Sequence, residues 1–505
     1  MSTTLSAPAA FQIRGRSLSP VGLALTGSVL LTLGSFGAGA IRYRGGVLDA
    51  LGLGFLAYGH GQGLSNAVFA VGLLLTILTW VLLGRWLHQS GRTAEIRLRT
   101  VRNVLIATVS PLLLAAPMMS RDVYSYLMQG AMLRDGFDPY TEGAAVNPGP
   151  MLLEVSHDWR NTTTPYGPLH LWIGDVITSI VGDNVTLGVL CYKVVSVIGF
   201  IAIAYGVSGI AGYFNSDRAL ALWIGVANPV MVIHMIGGMH NESIMVGLVS
   251  VGILLVLRRR FMAGVALIAV ATALKATAAI ALPFMVWIGM HQLAAILVAR
   301  RSRTRPGTGQ YLIAFVISGG LAVLVTAVVV SLITWASGAS WGWVSELTGN
   351  SKVINPLAFP SLIAGLISMV AQLFTSDFNY NAVLAVLRSV SMVIMLAGLV
   401  TTWWLFRKSP RRAVMGTVAA YGVAFVFNSV TLPWYYASMI SLVGTFRPPA
   451  RLMKFITAAS VFIALAFTSS GNHQLYNIPW VLVTALIAWG AVQTVFPKNP
   501  APALD

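Results

Sequence analysis

Apolar positions in this chain do not alternate with polar ones or stripe one face of short helices. They run together in long blocks from about residue 19 to residue 496. A helix needs roughly 20 mostly apolar residues to cross a bilayer's hydrocarbon. The blocks predict crossings at about 19–41, 63–84, 103–118, 185–213, 219–236 and 243–257. Further crossings are predicted at about 311–336, 382–406, 413–432, 434–447, 455–469 and 478–496. Between Arg260 and Arg300 the apolar residues cover only 261–290, roughly 30 where two crossings need roughly 40. That segment is predicted to be two short helices or a re-entrant pair, broken near 273–277, with Lys275 at the break. The apolar stretches 168–183, interrupted by Asp175, and 360–374 are predicted to lie at the interface.

The expected fold is therefore an all-α polytopic membrane protein with about 12 to 14 crossings. It is read as a single transmembrane domain over 1–505, with longer loops at 119–167 and 336–358. No convincing repeat appears, which disfavours a transporter built of two matching halves. No ATP-binding P-loop is present in the sequence.

Composition agrees. The chain is 56% hydrophobic and 9% charged, against about a quarter charged in a soluble domain, so no large soluble domain fits. The net charge of +17 would point to nucleic acid in a soluble protein. Here it sits in short clusters between apolar blocks, the positive-inside pattern, and is read as topology. The clusters are Arg14 and Arg16; Arg85, Arg92, Arg97, Arg99 and Arg102; Arg258 to Arg260; Arg300, Arg301, Arg303 and Arg305; Arg407, Lys408, Arg411 and Arg412; and Arg447, Arg451 and Lys454. With these in the cytoplasm, both long loops fall outside, and so do Arg42 and Arg44. Cys191, the single cysteine, lies in an apolar block, so neither an intrachain disulfide nor a thiol metal site is expected. No small-residue cleavage site follows the first block, which is read as retained.

Polar chemistry gathers on the outer side. In Ser120-Arg121-Asp122-Val123-Tyr124-Ser125-Tyr126, Asp122 opens a helical pattern carried by Val123, Tyr126, Leu127, Gly130 and Leu133 and stopped at Gly136. That pattern predicts an amphipathic helix on the outer surface. Asp122 fits an N-cap and also a general base whose pKa is raised at the membrane boundary. Arg121 fits an anion site or an anchor on lipid phosphate. The outer turn Gly238-Met239-His240-Asn241-Glu242 is either a solvated turn or a polar cluster facing a cavity. Its spacing matches no recognised metal pattern. Lys275 and Lys193 lie inside apolar segments, where an ionisable group is a functional candidate, although the Lys193 stem can also snorkel. Leu432-Pro433-Trp434-Tyr435-Tyr436 is either an interfacial belt or a surface for stacking a sugar or lining a lipid groove. Thr164-Pro165-Tyr166-Gly167-Pro168 forms a rigid turn closing the first loop. His473 lies in a further outer turn.

These pieces, with Gly136-Phe137-Asp138-Pro139-Tyr140, Leu274-Lys275-Ala276 and Pro433-Trp434-Tyr435-Tyr436, occur in an order that resembles one family over nearly the whole chain. It is the polyprenol-phosphate-mannose-dependent α-1,6-mannosyltransferases of mycobacteria and corynebacteria, within the GT-C glycosyltransferases. The resemblance implies an inverting transfer of mannose from a polyprenyl-phosphate carrier to a lipid-anchored mannan, the backbone of lipomannan and lipoarabinomannan. It implies a multi-pass plasma-membrane enzyme with its site on the extracytoplasmic side and, because the donor is not a nucleotide sugar, no nucleotide site; no cofactor or metal is expected. Asp122 matches the family's first-loop acid, with Asp138 second. Lys275, then Arg121 and Lys193, are expected at the donor phosphate. Tyr124, Asp138, His240, Asn241, Glu242, Trp434, Tyr435 and His473 are expected at the substrates. A flippase for a lipid-linked sugar, or an enzyme of another sugar specificity, remains open on the residues alone.

Overall fold

The computed structural model describes residues 11–13, 16–89, 91–299, 306–349 and 354–497. Arg14, Arg300, Arg301, Arg303 and Arg305 of the basic clusters lie outside the described residues. The chain forms two compact units. The first is Met1–Arg121, Asp217–Gly238 and Pro448–Asp505; the second is Asp122–Ser216 and Met239–Arg447.

The fold is helical. Among the described residues the only strands are the short antiparallel pair Phe11–Ile13 and Arg16–Leu18. Among the described residues, seven helices are long and apolar enough to cross a membrane: Pro20–Ala38, Gly59–Gln89, Val185–Tyr213, Ala276–Ala299, Thr308–Ser337, Tyr380–Leu405 and Ile478–Val495. An eighth is obtained if Arg218–Gly225 and Pro229–Gly237, bent by 53°, count as one. The all-α polytopic class holds, but the expected 12 to 14 crossings included segments that prove short or broken. The block at 219–236 breaks ahead of Pro229, where Asn228 caps the next turn. The block at 434–447 breaks into Pro433–Tyr436, Ala437–Val443 and Gly444–Phe446. The block at 103–118 lies in a helix, Ala94–Leu112, that stops just after Pro111.

The segment after Arg260 is broken where its length predicted, but its second leg is long. It runs on through His291 and Gln292 to Ala299. Those polar side chains are accommodated by main-chain carbonyls: His291 Nε2 pairs with the Arg407 carbonyl at 2.8 Å, and Gln292 Nε2 donates to the Val256 carbonyl at 2.8 Å.

In the first unit, Pro20–Ala38 packs on Gly59–Gln89 at van der Waals contact of backbones. A Cβ on Gly34 would lie 2.6 Å from the Phe69 nitrogen. Trp80 and Trp223 stack at 5.0 Å and exchange indole N–H bonds to each other's carbonyls, at 2.8 and 2.9 Å.

In the second unit, Val185–Tyr213 meets Glu242–Leu257 through Gly199, Gly206 and Gly247; a Cβ on Gly199 would lie 2.4 Å from the Ser243 carbonyl carbon. Small residues let helices approach closely where lipid gives no hydrophobic drive. The Asp122–Arg134 helix departs from expectation. It is not a half-exposed surface helix: Val123 to Met128, Gly130, Ala131 and Met132 are all buried. One side packs on Pro168–Val181 through Gly130 and Gly174. Ser125, Met128, Gln129 and Met132, on another side, line a cleft with Pro139, Glu142, Trp159 and Thr164 of the following loop. Periodicity showed the first face and could not show that the loop folds back over the other.

A Cβ on Gly130 would lie 2.2 Å from the Gly174 carbonyl carbon, so Gly130→Val must push the two helices apart. The expected result is a fall in thermal midpoint in detergent, equivalent to about 1–3 kcal/mol. Gly490→Ala, whose Cβ meets nothing within 4 Å, leaves it unchanged or slightly higher.

Candidate functional site

The site begins with a broken helix. Phe261–Leu274 stops because Lys275 takes an extended conformation, φ −153° and ψ 121°, before the tight turns Ala276–Ala281. The Pro-bounded turn at 164–168 is seated on this break. Gly167 N–H donates to the Leu274 carbonyl at 3.0 Å, satisfying a helix-end acceptor. A Cβ on Gly167 would come within 2.2 Å of the Ala273 oxygen, so only glycine fits. The same turn is tied to the first loop by Thr164 N–H on the Pro139 carbonyl, 2.9 Å.

Facing the break is the start of Glu242–Leu257. The preceding turn is tight enough to put Met239 at φ 54°. Glu242, 1% exposed, accepts a charge-assisted hydrogen bond from the Lys275 ammonium through Oε1. Each charge sits at the helix end that favours it, the carboxylate in a first turn and the ammonium at a C-terminus. Two aromatic faces complete the enclosure. Lys275 Nζ is 4.1 Å from the Tyr435 ring centroid and 5.3 Å from that of Tyr166.

Asp122 stands beside this pair as the first residue of its helix, with its side chain 19% exposed. Its Oδ2 lies 3.5 Å from His240 Nδ1 and 3.5 Å from the Tyr126 hydroxyl. His240 is fully buried and stacks on Trp434, centroids 3.5 Å apart at 17°. Sequence positions 122, 240–242, 275 and 434–435 thus meet in one cluster of the second unit.

Other candidates take different places. Asp138 organises its own loop, accepting from Tyr140 N–H at 2.9 Å and from the Ser340 hydroxyl at 2.9 Å. Tyr124 and Lys193 are buried within their helices. Arg121 belongs to the first unit, where it donates to the Ile41 carbonyl at 2.6 Å and lies over the Tyr43 ring at 4.0 Å. His473 is also in the first unit, edge-on to Tyr476 at 5.4 Å.

Sequence reasoning missed Tyr126, Gln129 and His170, and treated Tyr166 only as part of a turn. His170 Nε2 pairs with Gln129 Oε1 at 3.0 Å, and Asn241 Nδ2 with His170 Nδ1 at 3.4 Å. Both distances are met by one neutral tautomer, with the proton on Nε2. The ring also packs on Tyr166 at 4.4 Å and Tyr126 at 4.8 Å. This network links Asn241 to the Asp122 helix. Two signals were available: Tyr126 lies one helical turn after Asp122, and His170 is a polar residue opening an apolar stretch.

Two family models match the chain over segments that include the residues of this cluster. A family model described as "Alpha-(1->6)-mannopyranosyltransferase, N-terminal domain" matches residues 21–291, and one described as "MptB C-terminal domain" matches residues 360–496. The chain belongs to the α-(1→6)-mannopyranosyltransferase family. It is 68% identical to α-(1→6)-mannopyranosyltransferase A of Corynebacterium glutamicum, over 92% of this chain and 96% of that protein. It is 35% identical to the α-(1→6)-mannopyranosyltransferase A of Mycobacterium tuberculosis, over 93% of this chain and 89% of that protein. The chain is accordingly a multi-pass membrane glycosyltransferase with mannosyltransferase activity, working between a sugar donor and a lipid or glycan acceptor. The first matched region holds Asp122, His240, Glu242 and Lys275, and the second holds Trp434 and Tyr435.

Burial pushes the His170 imidazole down to about 3; the Lys275 charge adds to this and Asp122 opposes it. The folded pKa is below the unfolded one, so the unfolded chain binds the extra proton. Stability is then lost as pH falls below about 6.5, progressively towards about 3. His170→Gln is expected to flatten the acid limb of thermal midpoint against pH by up to about one proton. Parallel acid limbs for the two proteins would refute a neutral buried His170.

Proposed function

We propose that the protein is an inverting α-1,6-mannosyltransferase of GT-C type. It moves mannose from polyprenyl-phosphate mannose to a lipid-anchored mannan acceptor at the extracytoplasmic face of the plasma membrane. The observation that carries this is the meeting of a buried ammonium, Lys275, with a partly open carboxylate, Asp122, under the rings of Tyr435, Tyr166 and Trp434.

The roles follow from environment. Asp122 takes the proton of the acceptor hydroxyl as that oxygen bonds to the anomeric carbon. The carbon–oxygen bond to phosphate breaks on the opposite face, and its electron pair stays on the phosphate. Charge grows there, and a cation held in a water-poor site stabilises it. Lys275 is the group built for that, while Glu242 is already engaged with it. One carboxylate open to substrate suits single displacement, which forms no covalent enzyme intermediate. The half-buried Tyr166 and Tyr435 rings offer apolar faces suited to a sugar.

Asp122→Asn keeps the size of the side chain and removes the base. Purified in detergent and given polyprenyl-phosphate mannose with a short α-mannoside, this variant is expected to lose about 10²–10⁴-fold in kcat with its thermal midpoint unchanged. Wild-type protein should yield a longer mannoside in the same assay. Full activity in Asp122→Asn removes Asp122 as base, and absence of product from folded wild-type protein rejects this donor.

A further inference from the structure

Among the described residues, Glu242 is the most enclosed acid of the cluster, and its use is not explained by binding a sugar alone. Oε1 is taken by Lys275, and Oε2 is buried with no hydrogen-bond partner among the described residues. Lys275 meets this carboxylate and the faces of Tyr166 and Tyr435. A cation so placed, without the carboxylate, would bind an incoming phosphate strongly and release it slowly.

We propose that Glu242 is a positioning residue that tempers Lys275, so that the lipid phosphate formed by sugar transfer can leave. The proposal rests on the donor chemistry of the preceding section. The donor phosphodiester carries one negative charge. Transfer cleaves its bond to the sugar and leaves a phosphate monoester, which carries up to two. The acceptor proton goes to Asp122, and Lys275 stays protonated throughout. As charge accumulates, the ammonium shifts from Glu242 towards the leaving oxygen. Afterwards the Glu242 carboxylate, left without its partner in a buried place, competes for the ammonium and displaces the product. The orphaned Oε2 fits this part: a carboxylate with no other hydrogen bonds has nothing else holding its charge, so its pull on Lys275 is strong.

A merely structural Glu242 and a tempering Glu242 differ in what its removal does to product affinity. Full-length protein in detergent is assayed with farnesyl phosphate, a short isoprenyl monophosphate, as product inhibitor. In Glu242→Gln the inhibition constant is expected to tighten about tenfold, roughly 1.4 kcal/mol. KM for the donor and kcat are expected to fall together, because release becomes limiting. An unchanged or weaker inhibition constant overturns the proposal. If Glu242→Gln does not fold, Glu242→Asp, which draws the carboxylate back by one methylene, must tighten inhibition in the same direction, by a smaller factor; no tightening there overturns it equally. Lys275→Met separates the underlying donor chemistry. Farnesyl phosphate that binds Lys275→Met as tightly as wild type, measured by direct calorimetric titration, would remove the phosphate from Lys275, whatever the Glu242 variants show.

Discussion

The Glu242–Lys275 pair is the constraint around which the second unit is arranged. Neither charge is exposed to water, so each depends on the other. Removing one partner from a buried pair typically costs about 3–5 kcal/mol, because the remaining charge is stranded. To form it, a helix must break at Lys275 and another must begin at Glu242. A Pro-bounded turn must then cap the broken end, and an aromatic turn must cover the ammonium. These four segments lie at 164–168, 238–242, 275 and 433–436, and each brings a specific contact: the Gly167 bond to Leu274, the Glu242 carboxylate, and the Tyr166 and Tyr435 faces. The pair that sets their register is also the pair that the donor phosphate of the proposed reaction would enter.

Two carboxylates within one cluster have different surroundings, and that difference underlies the separate roles proposed for them. Glu242 is enclosed and engaged with an ammonium, which leaves it unsuited to meeting an acceptor hydroxyl. Asp122 keeps part of its side chain open and has a histidine and a tyrosine hydroxyl at its edge. A general base must be reachable, and a charge-setting group need not be. His240 is less suited than Asp122 to the proposed role of base, since it is fully buried and stacked on Trp434.

What the sequence disclosed depended on whether a feature had a one-dimensional trace. The break at Lys275 had one, a segment too short for two crossings, and it was located to the residue. The outer turn at 238–242 and the aromatic turn after Pro433 were visible because polar or Pro-bounded clusters interrupt apolar blocks. Lengths failed where polar side chains are satisfied by distant carbonyls: His291 and Gln292 looked like the end of a helix, yet they pair with Arg407 and Val256 carbonyls and the helix continues. Burial of the Asp122 helix failed for the complementary reason, since its second face is covered by a loop that carries no apolar period. Asp138 had the right residue type in the right loop, but its oxygens are used by Tyr140 and Ser340. His170 was overlooked because a neutral histidine satisfied by two amides leaves the sequence looking like any apolar helix with one polar residue.

An apolar chain that must keep ionised groups out of water has few means of doing so. In this cluster they sit at helix ends. Asp122 and Glu242 occupy first turns, where the amide dipoles favour negative charge, and Lys275 terminates a helix, where the carbonyls favour positive charge. Backbone that leaves the helical path in a membrane protein is tolerated only where its polar groups find partners, and here the Gly167 amide supplies one for the broken end. The glycine at 167 follows from this requirement, because any Cβ would collide with the carbonyl next to the one being satisfied. The breaks are thus what allow charge to persist in an apolar setting, and the segments that repair them carry the aromatic faces that enclose it.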